Sequence, residues 1–156
     1  MLEIAIPGAD TLHLEHLVAD YNGTLAKDGA LLPGVAEAFA ELAGHLTLHV
    51  VTADTFGQVR EALAGLPCTL HILPPGGQDA AKLAYLESLG AHRCAAVGNG
   101  RNDRLMLAQA ALGIALVQEE GAAVETLLAA RVAAPDIAAA LGLLLHPGRL
   151  VATLRV

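Results

Sequence analysis

Short apolar runs alternate with longer amphipathic segments along most of this sequence, and this alternation limits the folds open to it. The runs have strand length, whereas the segments between them span about three helical turns. We predict strands at 46–51, 69–73, 94–97, 112–116 and 131–133, and helices at 33–43, 56–64, 78–89, 102–110, 122–129 and 136–145. Because alternating strands and helices form right-handed crossovers, the pattern predicts an α/β fold. We expect a doubly wound parallel sheet covered by helices on both faces.

The N-terminal region departs from this alternation. Residues 2–6 and 12–17 alternate apolar and polar side chains around a Pro-Gly turn, which predicts a β-hairpin whose second strand leads on to Asp20. No repeat and no linker-like segment divides the sequence. We therefore expect one domain over residues 1–156.

Charge and hydropathy exclude several classes of partner. The chain has 9 Lys and Arg against 16 Asp and Glu, a net charge of −7, which argues against a basic face for nucleic acid or anionic lipid. Its longest apolar stretches fall short of the ~20 residues of a membrane-spanning helix, and no secretory signal pattern begins it. Cys68 and Cys94 permit one disulfide, although free thiols in a reducing compartment are favoured. We expect a cytoplasmic protein without nucleic-acid or membrane partners.

Polar residues follow the predicted strands where each of them ends. Residues 20–25 (Asp-Tyr-Asn-Gly-Thr-Leu), 52–54 (Thr-Ala-Asp) and 98–103 (Gly-Asn-Gly-Arg-Asn-Asp) all lie at such ends. Lys82, one of two lysines in the sequence, lies in the helix predicted at 78–89. Because the carboxyl ends of parallel strands share one edge of a sheet, these groups converge there. Carboxylates, glycines and backbone N–H groups together suit a divalent cation and a phosphate.

These segments resemble the four motifs of the haloacid dehalogenase (HAD)-like phosphotransferases. Residues 20–25 resemble the first motif, Asp-x-Asp-Gly-Thr-Leu, and also the Asp-Lys-Thr-Gly-Thr of P-type ATPase phosphorylation domains. The run that ends in Thr52 resembles the second motif, Lys82 lies where the third-motif lysine is expected, and residues 98–103 resemble the fourth, Gly-Asp-Gly-x-Asn-Asp. The likeness is greatest to the soluble P-type ATPase-like group. It spans roughly residues 12–145.

The resemblance implies a Mg²⁺-dependent phosphatase that acts through an aspartyl-phosphate intermediate on Asp20. An Asp carboxylate attacks phosphorus once a cation screens its charge. Asp20 would be the nucleophile and a Mg²⁺ ligand, and the backbone carbonyl of Asn22 would be a second ligand. Asn99 would contact the metal, and Asp103 would hold it directly or through water.

The two remaining site residues are expected at the phosphate. By the same resemblance, Thr52 would donate a hydrogen bond to a phosphoryl oxygen, and Lys82 would balance the charge of the phosphate and of Asp20. The substrate would be a small phosphorylated molecule or a phosphoprotein. Neither segment between the motifs has room for an inserted cap domain, which implies a capless form with an open site. A neighbouring subunit would cover such a site, so we expect a homo-oligomer.

Two positions depart from the family pattern and support an alternative function. Asn22 replaces the Asp that protonates the leaving group in family phosphatases, and an amide cannot transfer a proton. Asn99 replaces an Asp that ligates the metal, and an amide oxygen binds hard cations less strongly than a carboxylate. The alternative is a slow or inactive phosphate-binding regulatory domain.

Other interpretations have less support in the sequence. A receiver-like domain would place its phosphoacceptor Asp after the third strand, whereas Asp20 precedes Thr52 by one strand. Asp54 is expected to cap the helix at 56–64 rather than to act in catalysis. The pairs His13/His16 and His45/His49 lie in or beside strands, where such spacings do not cluster on one face, so zinc is not expected.

Overall fold

The computed structural model describes residues 1–53 and 57–156. It begins with an antiparallel hairpin, and a second, smaller hairpin follows the first strand of the central sheet. The strands in chain order are β1 (Leu2–Ile4), β2 (Leu12–Leu14), β3 (His16–Ala19), β4 (Ala26–Lys27), β5 (Ala30–Leu31), β6 (Thr47–Thr52), β7 (Cys68–Ile72), β8 (Cys94–Gly98), β9 (Leu112–Leu116) and β10 (Val132–Ala134). The predicted N-terminal hairpin is confirmed as β1 and β2.

A six-stranded sheet forms the centre of the molecule, in the order β10-β9-β8-β3-β6-β7. All of its strand pairs are parallel. Chain order runs outwards from β3 in both directions, which is the doubly wound topology that the sequence predicts. The carboxyl ends of β3, β6 and β8, neighbours in the sheet, therefore lie together at one edge.

Helices cover both faces of this sheet. They are α1 (Val35–Leu42), α2 (Gln58–Ala62), α3 (Gln78–Leu89), α4 (Arg104–Gln109), α5 (Val124–Ala129), α6 (Ile137–Leu145) and α7 (Pro147–Leu154). Successive strand residues alternate between the two faces: Leu17 belongs to a core shared with α1 and α6, and Val18 to a core shared with α3 and α4. This alternation follows from the strand period of two and explains why the buried strands are almost wholly apolar.

The structure divides the predicted strand 12–17 into two. Leu12–Leu14 pairs with β1, whereas His16–Ala19 enters the central sheet. Glu15 lies between them; its backbone N–H donates to the Arg93 carbonyl (2.8 Å), and its carbonyl accepts from the Thr47 N–H (2.9 Å). The two halves have the same alternation of apolar and polar residues, so the sequence pattern does not show where one strand ends and the next begins. The break is set by these two hydrogen bonds with distant residues.

The helix ends also differ from the predictions. α1 begins at Val35, since Gly34 has a left-handed backbone (φ 83°) that delays the helix start after Pro33. The predicted helix 102–110 begins as a 3-10 turn at Arg101–Asp103 before α4. α7 has no counterpart in the prediction; Pro147 occupies its first turn and Leu150 is buried. The cap predicted at Asp54 lies outside the described residues.

Two further expectations concern thiols and membrane spans. Cys68 and Cys94 are free thiols, and Cys94 is buried. Within the described part of the chain, no single helix is long and apolar enough to cross a membrane. α6 and α7 reach that length only as a pair, and they are bent by 99° at their junction.

Candidate active site

β3 places Asp20 at the carboxyl edge of the sheet. The Asp20 N–H donates to the Val97 carbonyl (3.0 Å), which continues the pairing of β3 with β8. The chain then turns tightly, because the N–H groups of Leu25 and Ala26 both donate to the Tyr21 carbonyl (2.9 and 3.0 Å). The Tyr21 ring is buried, and its hydroxyl donates to the Gly29 carbonyl (2.9 Å). This loop fixes the carboxylate of Asp20 above the strand ends.

Lys82 joins two carboxylates in a buried ionic cluster. Its Nζ lies 2.7 Å from Oδ1 of Asp20 and 2.6 Å from Oδ1 of Asp103, and the residue is 1% exposed. The second oxygen of Asp103, Oδ2, accepts from the backbone N–H groups of Asn99 and Gly100, both at 2.9 Å. Both oxygens of Asp103 are therefore engaged within the protein. Oδ2 accepts two hydrogen bonds and Oδ1 only one, so Oδ1 is the oxygen with capacity left for a metal or for a water that ligates it.

Burial and mutual interaction set the protonation of this cluster. Burial raises the pKa of Asp20, Asp103 adds to this increase, and Lys82 opposes it. Burial lowers the pKa of Lys82, but Asp20 and Asp103 outweigh this effect and hold it above its ordinary value. Two carboxylates therefore face one ammonium group. The cluster has an excess of negative charge away from solvent, which a cation beside Asp20 would offset.

A hydroxyl links Asp20 to the loop after β8. Thr24 Oγ1 donates towards both Oδ2 of Asp20 (3.2 Å) and Oδ1 of Asn99 (3.3 Å). Nδ2 of Asn99 donates to the Gly121 carbonyl (3.1 Å), which fixes the amide so that its oxygen is directed towards Thr24. Thr24 belongs to the first motif, but the resemblance gives it no role in the site. Its contacts assign it the positioning of both groups.

A cavity of about 250 Å³ lies over Asp20. It is lined by Asp20, Asn22, Thr52, Ala53, Gln78, Asn99, Gly100, Asn102 and Glu120. Together with the ionic contacts of Lys82 and Asp103, the structure thus assembles all six predicted site residues at one edge of the sheet. Thr52 is buried at the end of β6 and lines this cavity, where the sequence predicts that it contacts a phosphoryl oxygen.

Sequence reasoning missed three residues that line this cavity. Gln78 begins α3, one turn before Lys82, and accepts a hydrogen bond from Nδ2 of Asn102 (2.8 Å). Glu120 lies in the loop after β9, so the strand-end rule that located Asp20 points to that loop, although not to this residue within it. Asn102 matches the Asn of the fourth motif, which is its signal, whereas Gln78 has none, because polar residues near helix starts are common.

The donor groups suit a hard divalent cation. The Asp20 carboxylate, the Asn22 carbonyl and the Asn99 amide offer oxygen, the donor that Mg²⁺ prefers. Across residues 1–53 and 57–156, no group of three or more His, Cys, Asp and Glu side chains is arranged to hold a metal. A site completed by amide and carbonyl oxygens, water and substrate is consistent with that finding, since Mg²⁺ commonly uses only one or two carboxylates.

Solved structures with similar folds are hydrolases and phosphatases. The chain resembles a HAD family hydrolase from Streptomyces avermitilis with a TM-score of 0.70 and 20% identity, over 94% of this chain and 91% of that one. It resembles 3-deoxy-D-manno-octulosonate 8-phosphate phosphatase from Moraxella catarrhalis, in complex with magnesium ion, phosphate ion and KDO, with a TM-score of 0.64 and 16% identity, over 92% and 88%. A subfamily III A HAD hydrolase from Legionella pneumophila gives 0.67 and 16%, over 90% and 88%.

Sequence comparison adds one curated relative. An uncharacterized protein of Methanocaldococcus jannaschii is 43% identical over 84 residues, which make up 51% of this chain and 90% of that protein. No protein-family model matches the chain. The chain therefore belongs to one family with this archaeal protein, and its fold is that of the HAD superfamily hydrolases, as the sequence resemblance implies.

Proposed function

We propose that this chain is a Mg²⁺-dependent phosphatase that acts through an aspartyl phosphate on Asp20. The observation that carries the proposal is the arrangement of Asp20 at the floor of a polar cavity, with Lys82 on one oxygen and Thr24 on the other. The phosphatase from Moraxella catarrhalis, similar in fold, is described in complex with magnesium and phosphate ions. These findings support the same class of reaction here.

Asp20 would act as the nucleophile. A carboxylate oxygen forms a bond to phosphorus as the ester P–O bond breaks, and the departing oxygen takes a proton from water. Water then attacks the phosphorus of the acyl phosphate, which releases phosphate and regenerates the carboxylate. Asp20, the backbone carbonyl of Asn22 and Asn99 would hold Mg²⁺, which would screen the charge between carboxylate and phosphate. Lys82 and Thr52 stabilise phosphoryl charge, and Asp103 positions Lys82.

Asn22 determines which phosphates react readily. Its amide can donate a hydrogen bond to the departing oxygen, but it cannot protonate it or deprotonate water. The substrate class is therefore small phosphates with acidic leaving groups, such as acyl or aryl phosphates. Alkyl phosphates should react slowly.

Steady-state kinetics of two variants test the mechanism. Asp20→Asn should abolish hydrolysis of every phosphate at saturating Mg²⁺. Asn22→Asp should raise hydrolysis of an alkyl phosphate by ~10²–10⁴-fold, the usual contribution of a general acid–base, and should raise that of an aryl phosphate less. Activity retained by Asp20→Asn would show that the nucleophile is another residue. No gain from Asn22→Asp would show that another group already transfers the proton.

The alternative function is a phosphate-binding regulatory domain without turnover. Asn22 and Asn99, both amides where the family pattern has carboxylates, favour it. It predicts that the wild type binds phosphate in the presence of Mg²⁺ but neither hydrolyses esters nor accumulates a trapped phosphoenzyme. That result would replace the phosphatase proposal.

A further inference from the structure

The loop after β9 is fastened to the first-motif loop. Nε2 of Gln118 donates to the carbonyls of both Gly23 and Thr24, each at 3.0 Å, and its Oε1 accepts from the Ile137 N–H (2.8 Å). One side chain thus joins this loop, the nucleophile loop and the start of α6. The loop is held in place two residues before Glu120.

The same loop is fastened to the fourth-motif residue Asn99. The Asn99 side chain donates to the Gly121 carbonyl (3.1 Å), and the Asn99 carbonyl accepts from the Ala123 N–H (2.9 Å). The backbone on both sides of Glu120 is therefore tied to residues that surround the candidate active site. Its carboxylate lines the cavity over Asp20.

Gly23 locates the carboxylate of Glu120 relative to the metal ligands. A Cβ on Gly23 would clash with Oε2 of Glu120, and it would lie 2.8 Å from Nδ2 and 2.9 Å from Oδ1 of Asn99. The absent side chain thus leaves a small volume that the Glu120 carboxylate and the Asn99 amide both border. Gly23 also follows Asn22, whose carbonyl is an expected ligand. No hydrogen bond or ion pair to the described residues engages the Glu120 carboxylate.

We propose that Glu120 coordinates the divalent cation and takes the place of the carboxylate that Asn99 lacks. This inference rests on the proposed function. When both carboxylates are ionised, the cluster of Asp20, Asp103 and Lys82 has one excess negative charge, and Glu120 raises the excess to two, which matches a divalent cation. Because affinity for hard cations rises with the charge of the ligands, Glu120 compensates for the neutral amide of Asn99.

Glu119 provides a matched control. It adjoins Glu120 in sequence, has the same charge and forms an ion pair with Lys27, beside a second cavity of about 270 Å³ that Glu120 also lines. Glu119 does not line the cavity over Asp20. Glu119→Gln and Glu120→Gln remove the same charge within one loop, and Glu119→Gln in addition breaks the ion pair with Lys27. A loss of Mg²⁺ affinity confined to Glu120→Gln therefore indicates contact with the cation.

Isothermal titration of the full chain with MgCl₂ alone tests the proposal without any turnover. Glu120→Gln should weaken Mg²⁺ binding by about ten-fold or more, the scale of losses around metal sites, whereas Glu119→Gln should weaken it by less than about three-fold. The double variant Asn99→Asp/Glu120→Gln should regain affinity close to that of the wild type, because the carboxylate is restored on the neighbouring position. Equal thermal unfolding of all variants without Mg²⁺ controls for folding; Glu120 is exposed, so its substitution leaves the core unchanged.

Four results would overturn the inference. Equal losses of Mg²⁺ affinity in Glu120→Gln and Glu119→Gln would show that the effect comes from the net charge of the loop and not from contact with the cation. A double variant that does not regain Mg²⁺ affinity would show that positions 99 and 120 do not share one role. If the wild type hydrolyses phosphate esters with Mg²⁺ while Glu120→Gln binds Mg²⁺ as tightly, only this inference is wrong. If the wild type binds no Mg²⁺, the proposed function is wrong as well.

Discussion

α3 carries two polar side chains, one turn apart, into two different clusters. Lys82 contacts the carboxylates of Asp20 and Asp103 at the carboxyl edge of the sheet. The Tyr85 hydroxyl lies 2.9 Å from Nδ1 of His49, and its ring stacks on His71 with 4.3 Å between centroids. The first cluster is ionic and borders a cavity. The second, the imidazole cluster, consists of the rings of His49, His71 and Tyr85.

The imidazole cluster continues across two neighbouring strands. Nε2 of His49 lies 3.1 Å from Nδ1 of His16, since β3 and β6 are adjacent. Burial, and then His16, lowers the pKa of His49 to about 4, so that its ring is neutral at pH 7. A neutral ring has one N–H and one acceptor nitrogen, which matches one partner on each side.

The comparison shows two ways to bury polar groups under one helix. At Lys82 the charges are retained, and one ammonium group lies between two carboxylates. At His49 the ring is neutral, and each of its nitrogens has a hydrogen-bond partner. Charged groups are costly to bury, so their presence beside a cavity indicates a functional site. The imidazole cluster, by contrast, joins α3 to the sheet.

Removal of the central cation should produce the largest effect. Lys82→Met keeps an unbranched side chain but leaves Asp20 and Asp103 buried without a counter-charge. We expect the free energy of unfolding to fall by about 3–5 kcal/mol, measured by urea denaturation in Mg²⁺-free buffer at pH 7. Hydrolysis should be lost at the same time.

Lys27→Met is the matched control, because Lys27 forms its ion pair with Glu119 at the surface. Solvent screens that pair, so the control should change stability little. Similar losses in both variants would mean that the ionic cluster is no more sensitive to charge removal than the surface.

Acidification should weaken the imidazole cluster. The pKa of His49 is lower in the folded protein than in the unfolded chain, so the unfolded state binds more protons between about pH 6.5 and pH 4. The contribution of His49 to stability is complete above that window and is lost as the pH falls through it. From pH 7 to pH 5 the loss should be roughly 1–2 kcal/mol.

The variant His49→Gln has no titrating group at this position, so its comparison with the wild type isolates the contribution of His49 to the pH dependence of stability. The other groups nearby are His16, whose pKa burial also lowers, and Arg93, Glu15 and Tyr85, and all of them are present in both proteins. Chemical denaturation at both pH values should show the stability gap between wild type and variant narrowing at pH 5. A gap of constant size would mean that the His49 ring titrates as freely in the folded state as in the unfolded one.

The two clusters also differ in how far the sequence predicted them. The ionic cluster follows from motifs at strand ends, because a parallel sheet brings those ends to one edge whatever the register. The contact between His16 and His49 depends on which strands are neighbours, and local spacing does not contain that information. The division of the strand at Glu15 is missed for the same reason.

Loop residues set the other limit of prediction. Glu120 lies in a polar loop of ordinary composition, and its approach to Gly23 depends on the hydrogen bonds of Gln118 and Asn99 with distant backbone. No short-range pattern encodes those contacts. By contrast, α3 has the predicted bounds, because glycines flank it in the sequence and end it on both sides in the structure.

Loss of the Tyr85 hydroxyl should have the smallest effect and separates the clusters most directly. Tyr85→Phe keeps the stacking on His71 but leaves Nδ1 of His49 without this partner, so the free energy of unfolding should fall by about 1 kcal/mol in urea at pH 7. Because Asp20 and Asp103 orient Lys82 without any hydrogen bond to Tyr85, Mg²⁺ affinity and turnover should remain within about two-fold of the wild type.

Thr153→Val is the control for hydroxyl removal in general. It removes an exposed hydroxyl from α7 and should lower the free energy of unfolding by less than about 0.5 kcal/mol. A Tyr85→Phe variant that lost turnover in proportion to its stability would show that the imidazole cluster positions Lys82. The two clusters would then not be independent of each other.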